Sequence, residues 1–253
     1  MMKPLGRKAY GHIGHLPGSR MGPGDHHVHE GQGRICTETV RDKHDRVIIQ
    51  EKLDGTNVAV AKIDGKVVAL IRSGYTATSS PYEQHHLWAA YVREHAEKFD
   101  ALLSDGERVC CEWLAQAHGS RYDLTRRQPF VAFDIMREDK RLPFRSLWTR
   151  CVELGELLGE PFFNTPVTID GRGFGPLPPL DAMAMLGTYG GHGALDPIEG
   201  VVYRVERHPP NAPATVDFLA KWVRPDKVDG CYLPARGSND GAVWNWRPSN
   251  GPQ

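Results

Sequence analysis

Cysteine is scarce in this sequence, and the few cysteines are not paired. The 253 residues include 5 cysteines, and no two of them stand in a Cys-x-x-Cys arrangement. An odd number without paired spacing argues against a disulfide framework and favours reduced thiols. We therefore expect a cytoplasmic protein.

Net charge and long apolar runs are also missing. Lys+Arg and Asp+Glu are both 31, so any nucleic-acid surface has to be a local basic patch. No apolar run is long enough to span a bilayer and no signal peptide is recognisable, which predicts a protein without a membrane segment. With 40% hydrophobic and 25% charged residues, the chain has an ordinary globular composition and can bury a substantial core.

Residues 1–45 are rich in histidine but have no metal-site spacing. Glycine and proline interrupt the segment, and its histidines match no tetrahedral zinc pattern. We expect an irregular segment that packs on the surface of the domain. The histidines concerned are His12, His15, His26, His27 and His29.

The stretch Glu51-Lys52-Leu53-Asp54-Gly55-Thr56-Asn57 joins two apolar segments, residues 47–49 and 58–61. Lys52 is therefore predicted where one strand ends in a glycine-containing turn and the next strand begins. A lysine with its ordinary pKa of about 10.4 is a poor nucleophile in water. Partial burial or a nearby cation lowers that pKa and frees the amine for attack. The alternative is a surface lysine beside an Asp-Gly turn.

The same four-residue pattern occurs again at Lys62-Ile63-Asp64-Gly65. Here the Asp-Gly pair lies between two apolar segments, which is the signal of a two-residue hairpin. We interpret Lys62 as a structural lysine at a strand end. The pattern alone therefore does not identify a nucleophile.

The remaining periodicities predict an α+β protein with mixed or antiparallel sheets and flanking helices. The strand over residues 129–137 is almost continuously apolar and is expected to be central and buried on both faces. Glu112 lies among apolar neighbours and needs either an internal arginine or a ligand hydroxyl, because an unpaired buried charge is costly. The predicted strands are residues 47–72 (three strands), 107–115, 129–137, 198–204 and 215–223, and the predicted helices are residues 82–103, 146–158 and 178–186.

Several of these residues, taken in order, resemble the motifs of covalent nucleotidyltransferases, the superfamily of polynucleotide ligases and mRNA capping enzymes. The resemblance is closest to nick-sealing RNA ligases of the RNA ligase 2 type and covers roughly residues 45–225. An ordered set is far more specific than any single motif. The matching elements are Glu51 to Asn57, Arg72-Ser73-Gly74, Glu112, Phe133-Asp134, Glu199-Gly200 and Lys221.

This resemblance implies the ligase adenylation fold and a role for each matching residue. Lys52 is implied as the nucleophile that forms a phosphoramide with AMP. Glu112 and Arg72 are implied to hold the ribose, and Phe133 to stack on the adenine. Glu199 is implied to organise a metal ion. The other implied ATP-binding residues are Glu51, Asp54, Gly55, Asn57, Lys221 and, as a helper, Arg224.

The late lysine motif departs from the family pattern, which usually carries two lysines one residue apart. Here Lys221 is followed by Val223 in the second position and then by Arg224. In a strand Lys221 and Val223 face the same way and Arg224 faces the other. Arg224 can supply the second cation only if the strand ends or twists before it. Arg20 and Lys227 are the next candidates.

The resemblance also implies cofactors and partners. ATP and Mg²⁺ or Mn²⁺ are the implied cofactors, and the implied partner is RNA with 5′-phosphate and 3′-hydroxyl ends in a nicked duplex. We expect one domain over residues 1–253, with a catalytic core at 46–225 and a tail at 226–253, and an accessory protein or domain that helps to engage the duplex. A small ATP-dependent DNA ligase and a catalytically impaired nucleic-acid-binding member of the fold remain as alternatives.

Overall fold

The computed structural model describes residues 3–170, 175–234 and 241–248. The strands in these residues are β1 Gly14–His15, β2 Asp45–Lys52, β3 Thr56–Ile63, β4 Lys66–Ile71, β5 Glu107–Trp113, β6 Phe130–Arg137, β7 Lys140–Arg141, β8 Thr168–Asp170, β9 Gly200–Arg207 and β10 Thr215–Val223. The helices are α1 Glu30–Thr37, α2 Glu83–Glu94, α3 Ala96–Leu102, α4 Phe144–Leu158 and α5 Pro179–Leu186, with a 3₁₀ turn at Ala77–Ser79. None of these helices combines the length and the apolar composition that crossing a lipid bilayer requires.

The strands form two five-stranded sheets. The first has the order β1-β10-β9-β2-β8 and the second the order β4-β3-β5-β6-β7. β1 runs parallel to β10, and the neighbouring pairs elsewhere in both sheets are antiparallel. The predicted α+β class with mixed or antiparallel sheets is therefore confirmed.

The chain changes sheets directly after Lys52. β2 ends there in the first sheet, and β3 begins at Thr56 in the second, so residues 53–55 connect the two sheets. The predicted hairpin at Asp64-Gly65 is confirmed and stays within the second sheet, where Ile63 pairs with Lys66. Asp64 and Gly65 have φ angles of 49° and 69°, as a tight hairpin turn requires.

Each sheet buries one face against helices. Large aromatic side chains fill the space between the second sheet and helices α2, α3 and α4, with Trp88 contacting Trp113 and Phe130. The first sheet packs its aliphatic face, which includes Ile49 and Val201, against α1 and α5. Each sheet thus has its own set of covering helices.

Two sequence-based expectations differ from the structure in the helices. The single helix over residues 82–103 is broken at His95, which ends α2 and precedes α3 with φ −112° and ψ 25°. The segment 1–45 is not wholly irregular, since it contains β1 and α1. Two glycines make α1 a poor helix by propensity. It forms because Cys36 is buried in the core of the first sheet and Gln32 accepts a hydrogen bond from His29 N, 3.2 Å away.

Strand β6 is buried, but it is not central. It lies second from the edge of its sheet, next to the two-residue β7. Its apolar run reflects coverage by α4 on one face and by the segment around Tyr10 on the other. Within the predicted C-terminal tail, residues 235–240 and 249–253 lie outside the described residues.

Candidate active site

A cavity of about 910 Å³ is lined by strands of both sheets. This volume is within the usual range for small-molecule sites. Of the residues singled out in the sequence, eight line it: Glu51, Lys52, Gly55, Asn57, Arg72, Glu112, Phe133 and Lys221. Three others, Asp54, Glu199 and Arg224, are not part of its lining.

Lys52, which lines the cavity, forms an ion pair with Glu199. Lys52 lies opposite Gly200 in the β2–β9 pairing, which brings the preceding Glu199 beside it. Lys52 Nζ donates a hydrogen bond to Glu199 Oε2 over 2.6 Å. A side chain at position 200 has no room, since its Cβ would lie 1.9 Å from Trp222 O. The glycine after Glu199 thus permits the close approach of β10.

The electrostatics of Lys52 differ from the sequence-based expectation. Burial acts to lower the pKa of Lys52, but the charges of Glu199 and Glu112 outweigh it and raise the pKa to about 12. Burial raises the pKa of the Glu199 carboxyl, and the charge of Lys52 opposes that rise. The expected lowering of the lysine pKa is wrong for this arrangement, because two carboxylates rather than a cation are its neighbours.

Glu112 ties the second sheet to the turn after Lys52. It lies opposite Asn57, and its Oε1 accepts a hydrogen bond from Gly55 N over 3.0 Å. Burial raises the pKa of Glu112 to about 7, although the charge of Lys52 opposes this. In the described chain its partner is thus a backbone amide rather than an internal arginine. Asn57 Oδ1 beside it is buried and has no hydrogen-bond partner among the described residues.

Phe133 forms part of one wall through an irregularity in β6. The β5–β6 register shifts so that Ala132 and Asp134 are paired and Phe133 is left between them. Such a bulge redirects a side chain. The Phe133 ring meets the Tyr10 ring edge to face, with 5.1 Å between centroids, and lines the cavity. Phe133 therefore places an aromatic side chain at the wall of the cavity.

Asp134, the carboxylate that stands out in an apolar strand, has a structural role. Its carboxylate accepts a hydrogen bond from Tyr10 OH over 2.7 Å and pairs with Arg204 and with Arg141. Asp134 is 1% exposed. A buried charge with this many partners is satisfied within the protein.

Lys221 shares a face of the first sheet with Lys52. It pairs with Val202, which pairs in turn with Gln50, two residues before Lys52. Paired and alternate residues point to the same side of a sheet. Burial lowers the pKa of Lys221, and the neighbouring charge of Lys52 acts in the same direction. Asp25 Oδ1 lies 3.6 Å from its Nζ.

Two of the three cations considered as replacements for the missing second lysine, Arg224 and Arg20, lie outside the cavity lining. β10 ends at Val223, as the sequence required, but Arg224 Nε donates to Ile198 O over 3.1 Å. Arg20 pairs with Asp229 at 2.6 Å. Neither arginine is among the residues that line the cavity.

Lys227, the third candidate, contacts the turn that follows Lys52. Its Nζ lies 2.7 Å from Asp54 Oδ2 and donates to Gly119 O and Ser120 Oγ over 2.6 and 2.5 Å. In the same turn, Tyr122 OH accepts a hydrogen bond from Asp54 N over 2.9 Å. Lys227 is 3% exposed. Asp54 is therefore held by the C-terminal segment, a long-range contact that no local sequence signal indicates.

Glu51 points away from Lys52. Neighbouring residues of a strand face opposite sides, and Glu51 pairs with Val201 of the buried face. Its carboxylate accepts a hydrogen bond from Gly191 N over 3.1 Å. Burial raises the pKa of Glu51 to about 7, and the Gly191 hydrogen bond opposes this. The glycine-rich segment of residues 187–193 lies against this carboxylate, because a Cβ on Gly190 would lie 2.2 Å from it.

Sequence reasoning missed two parts of the cavity wall. Residues 10–13 of the N-terminal segment line it, and Arg72 Nη2 donates to Gly11 O there over 3.1 Å. On another side, Thr56 Oγ1 donates to Gln84 Oε1 over 2.6 Å and lies 3.0 Å from His118 Nε2. The position of His118 shortly after the strand of Glu112 was the sequence signal that could have placed it near the site. Contacts between distant elements bring these residues to the site.

Comparison with known proteins gives similarity to RNA ligases. An archaeal ATP-dependent RNA ligase aligns with 71% of this chain and 42% of its own, at 21% identity and a TM-score of 0.36. A Naegleria gruberi RNA ligase variant with AMP and Mn aligns with 83% of this chain and 59% of its own, at 15% identity and a TM-score of 0.49. An uncharacterized protein of Methanocaldococcus jannaschii is 61% identical over 31 residues, 12% of this chain and 8% of that protein. The chain thus spans less than two thirds of each of these proteins.

The family assignment rests on the sequence itself. A sequence model of the RNA ligase family matches residues 45–223. This range begins with β2 and ends with β10, and it includes Lys52, Glu112, Glu199 and Lys221. Since the match covers most of the chain, the protein belongs to the RNA ligase family.

Proposed function

We propose that this protein is an ATP-dependent RNA ligase that attaches AMP to Lys52. The adenylylated protein passes AMP to the 5′-phosphate of an RNA strand, and a neighbouring 3′-hydroxyl then displaces AMP and seals the strand. The observation that carries the proposal is the position of Lys52 Nζ, 2.6 Å from Glu199 Oε2 beside a cavity that Lys221 also lines.

In the charging step Lys52 first has to lose a proton, because its pKa is raised to about 12 by the surrounding carboxylates. Glu199 Oε2 is positioned to receive that proton. A bond then forms between Lys52 Nζ and the α-phosphorus of ATP, and the bond from this phosphorus to the bridging oxygen breaks. Pyrophosphate leaves with the electron pair. Positioning and electrostatics dominate such phosphoryl chemistry.

The cavity supports a division of roles along the nucleotide. Phe133 presents an aromatic face for the adenine, and stacking of this kind contributes about 1–3 kcal/mol in nucleic-acid complexes. Glu112 and Arg72 lie on the walls of the second sheet, where we assign the ribose. Lys221 shares the face of Lys52 and is assigned to the α-phosphate.

A divalent cation, Mg²⁺ or Mn²⁺, fits the side chains around Lys52. Magnesium sites often use one or two carboxylates together with substrate phosphates and waters. The described residues contain no group of three or more potential ligands, but Glu199 and Glu112 offer carboxylates and Asn57 Oδ1 offers an unpartnered buried acceptor. Glu199 is assigned to hold the cation. When bound, the cation supplies positive charge that offsets the charge developing on the phosphates.

The first test is covalent labelling with ATP that carries a radioactive α-phosphate, in the presence of Mg²⁺. After denaturation, label should remain on the wild-type protein and on Lys62→Ala but not on Lys52→Ala. Lys62 is the matched control because it occupies the same four-residue pattern. Equal labelling of both variants would remove Lys52 as the nucleophile, and no label on the wild type would favour a binding protein.

A second assay addresses the nucleic acid. Sealing is measured on matched RNA and DNA nicks with 5′-phosphate and 3′-hydroxyl ends, with and without an added duplex-binding protein. The proposal expects sealing of the RNA nick. Sealing of the DNA nick alone would make the protein a DNA ligase, and a strict need for the added protein would support an accessory partner.

A further inference from the structure

The N-terminal segment brings positive charge to one rim of the cavity. Lys8 and His12 line the cavity together with Arg72, which follows β4. Ala9 N and Tyr10 N both donate to Arg72 O, over 3.0 and 3.2 Å. Arg72 Nη2 donates back to Gly11 O over 3.1 Å. These contacts fix the segment against the end of β4, so Lys8, His12 and Arg72 lie at the same side of the cavity.

This positive charge is poorly balanced. In the described part of the chain, no carboxylate oxygen forms an ion pair with Lys8 or Arg72, and Lys221 has one at 3.6 Å, from Asp25. Other arginines near the cavity are neutralised, as Arg204 is by Asp134. Cations left without a carboxylate in a concave site raise the local concentration of anions.

The pKa of His12 is affected by this positive charge. Its pKa is lowered chiefly by Arg72, then by partial burial and by the charge of Lys8, while Asp25 opposes the shift and Lys221 adds to it. The imidazole is exposed at the rim, so a ligand can reach it. Lys8 and His12 also lie outside residues 45–223, so the family match does not account for them.

We propose that Lys8 and His12, which lie beside Arg72 and Lys221, form a second phosphate subsite that takes a terminal phosphate group. This inference rests on the proposed function, in which the α-phosphate lies beside Lys52. The terminal phosphate belongs either to the triphosphate tail of ATP or to the 5′ end of an RNA strand. Both present the same dianionic chemistry, which charge-assisted hydrogen bonds from lysine, arginine and imidazolium groups recognise.

The binding test uses inorganic tripolyphosphate as the probe, measured by titration calorimetry on the whole protein. The double variant Lys8→Ala/His12→Ala should bind it about tenfold or more weakly than wild type. Lys3→Ala is the matched control, since Lys3 is in the same segment but lies over the Tyr75 ring, 5.1 Å from its centroid. An equal loss in Lys3→Ala, or no loss in the double variant, would overturn the subsite. Lys8 and His12 are exposed, so both changes should leave the thermal midpoint in place.

A pH series separates a specific role of His12 from general attraction. An anion bound beside His12 favours its protonated form, so binding should strengthen as pH falls from about 8 to about 6. Sulfate is the probe here, because it does not titrate in this range. His12→Gln should lose this pH dependence, while the neighbouring charges of Lys8, Arg72, Lys221 and Asp25 are unchanged. A slope equal to that of wild type in His12→Gln would contradict the assignment.

Kinetics distinguish the two sources of phosphate. If the triphosphate tail is the ligand, the double variant should raise the KM for ATP in charging and leave transfer from the adenylylated protein unchanged. If the RNA end is the ligand, transfer to a 5′-phosphorylated RNA should slow and charging should not. A wild-type protein that binds tripolyphosphate through Lys8 and His12 but takes no label from ATP would retain the subsite and refute the proposed function. Normal kinetics of both steps in the double variant would refute the subsite alone.

Discussion

The two Lys-x-Asp-Gly sequences of this chain fold into different surroundings. Lys52 ends β2 in the first sheet, and the residues after it cross to the second sheet, whereas Lys62 lies near the end of β3 in a hairpin within one sheet. Lys52 Nζ is held by Glu199, a residue from a distant strand. Lys62 Nζ pairs with Asp100, whose side chain is 47% exposed. Residues from other elements, not the shared pattern, therefore distinguish the two lysines.

The glycines of the two copies are needed for different reasons. Gly65 has a positive φ of 69° and open space around it, so its lack of a side chain serves the hairpin turn. Gly55 has no room for a Cβ, which would lie 2.5 Å from Trp113 O. Gly55 therefore allows two chain segments to approach closely, whereas Gly65 allows the backbone conformation of the hairpin turn.

The largest effect on labelling is expected from removing the carboxylate partner of Lys52. Glu199→Gln should reduce labelling with ATP by about 10²–10³-fold, because the proton acceptor and the assigned metal-holding carboxylate are lost together. Asp100→Asn, which makes the same change at the partner of Lys62, should label like wild type. Initial labelling rates and thermal midpoints of both variants are measured.

The outcome for Glu199→Gln depends on the protein remaining folded. Glutamine keeps the size of the side chain, so the thermal midpoint should stay near that of wild type. A collapsed midpoint would make Glu199 a structural residue, and wild-type labelling with a normal midpoint would remove it from the chemistry.

Lys221 places a second cation on the sheet face of Lys52. Its loss is expected to have the next largest effect on charging. Lys221→Ala should reduce charging by about 10²-fold, because a phosphate in a partly dry site loses its cationic partner. Arg224→Ala should be impaired less, by about tenfold at most, since its guanidinium is held by Ile198 O and Asp226 outside the cavity. Charging rates at saturating ATP compare the two variants. A greater loss in Arg224→Ala would show that Arg224 reaches the phosphate when ATP binds.

The glycine comparison predicts an effect on stability. Gly55→Ala should lower the free energy of unfolding by about 3 kcal/mol, because the added carbon overlaps the backbone of Trp113. Gly65→Ala should lower it by about 1 kcal/mol, the cost of placing an L-residue in the left-handed region. Urea denaturation measures both. Equal losses would mean that the crossing between the sheets relaxes easily.

The local signals were sufficient for the longer strands and for the Asp64-Gly65 hairpin, but they did not predict the short strands β1, β7 and β8. Apolar alternation is a property of neighbouring residues, so it predicted β2 to β5 and β10 within a few positions. Helix α1 was missed because its glycines disfavour a helix, and burial of Cys36 against the first sheet outweighs that preference. Tertiary packing therefore determines that this segment is helical.

The site was predictable where motifs come in order, and not where contacts are long-range. The family resemblance picked out Lys52, Glu112 and Lys221, which the fold brings to one cavity. It did not indicate the contact of Lys227 with Asp54 or the burial of Glu51, since both depend on segments far away in sequence. Which carboxylate lies beside which lysine follows from the pairing of β2 with β9, a long-range contact that local sequence patterns did not reveal.

The residue before each lysine gives a pH-dependent prediction. Glu51 is buried with its pKa raised to about 7, whereas the second copy has Ala61 at this position. An unfolded glutamate has a pKa of about 4.3. Between these values the unfolded chain has lost a proton that the folded protein still holds, so stability falls as pH rises through this range and then levels off.

Glu51→Gln removes this titration and keeps an acceptor for Gly191 N. Relative to wild type it should gain up to about 3 kcal/mol at about pH 8 and little at about pH 4. Urea denaturation over this pH range makes the measurement, with Glu153→Gln on the exposed face of α4 as the control. A pH slope that matches wild type would mean that Glu51 is ionised in the folded protein.

The smallest effect is expected at Lys62 itself. Its ammonium is paired with Asp100 Oδ1 at 2.7 Å and donates to Asp100 O over 3.2 Å, but the carboxylate is half exposed. Exposed ion pairs contribute about 0–1 kcal/mol, because water and salt screen the charges. Lys62→Ala should therefore change the free energy of unfolding by about 0.5 kcal/mol or less. If its stability or its labelling fell as far as in Lys52→Ala, the second copy could not serve as the control, and position relative to the cavity would not explain the difference between the two lysines.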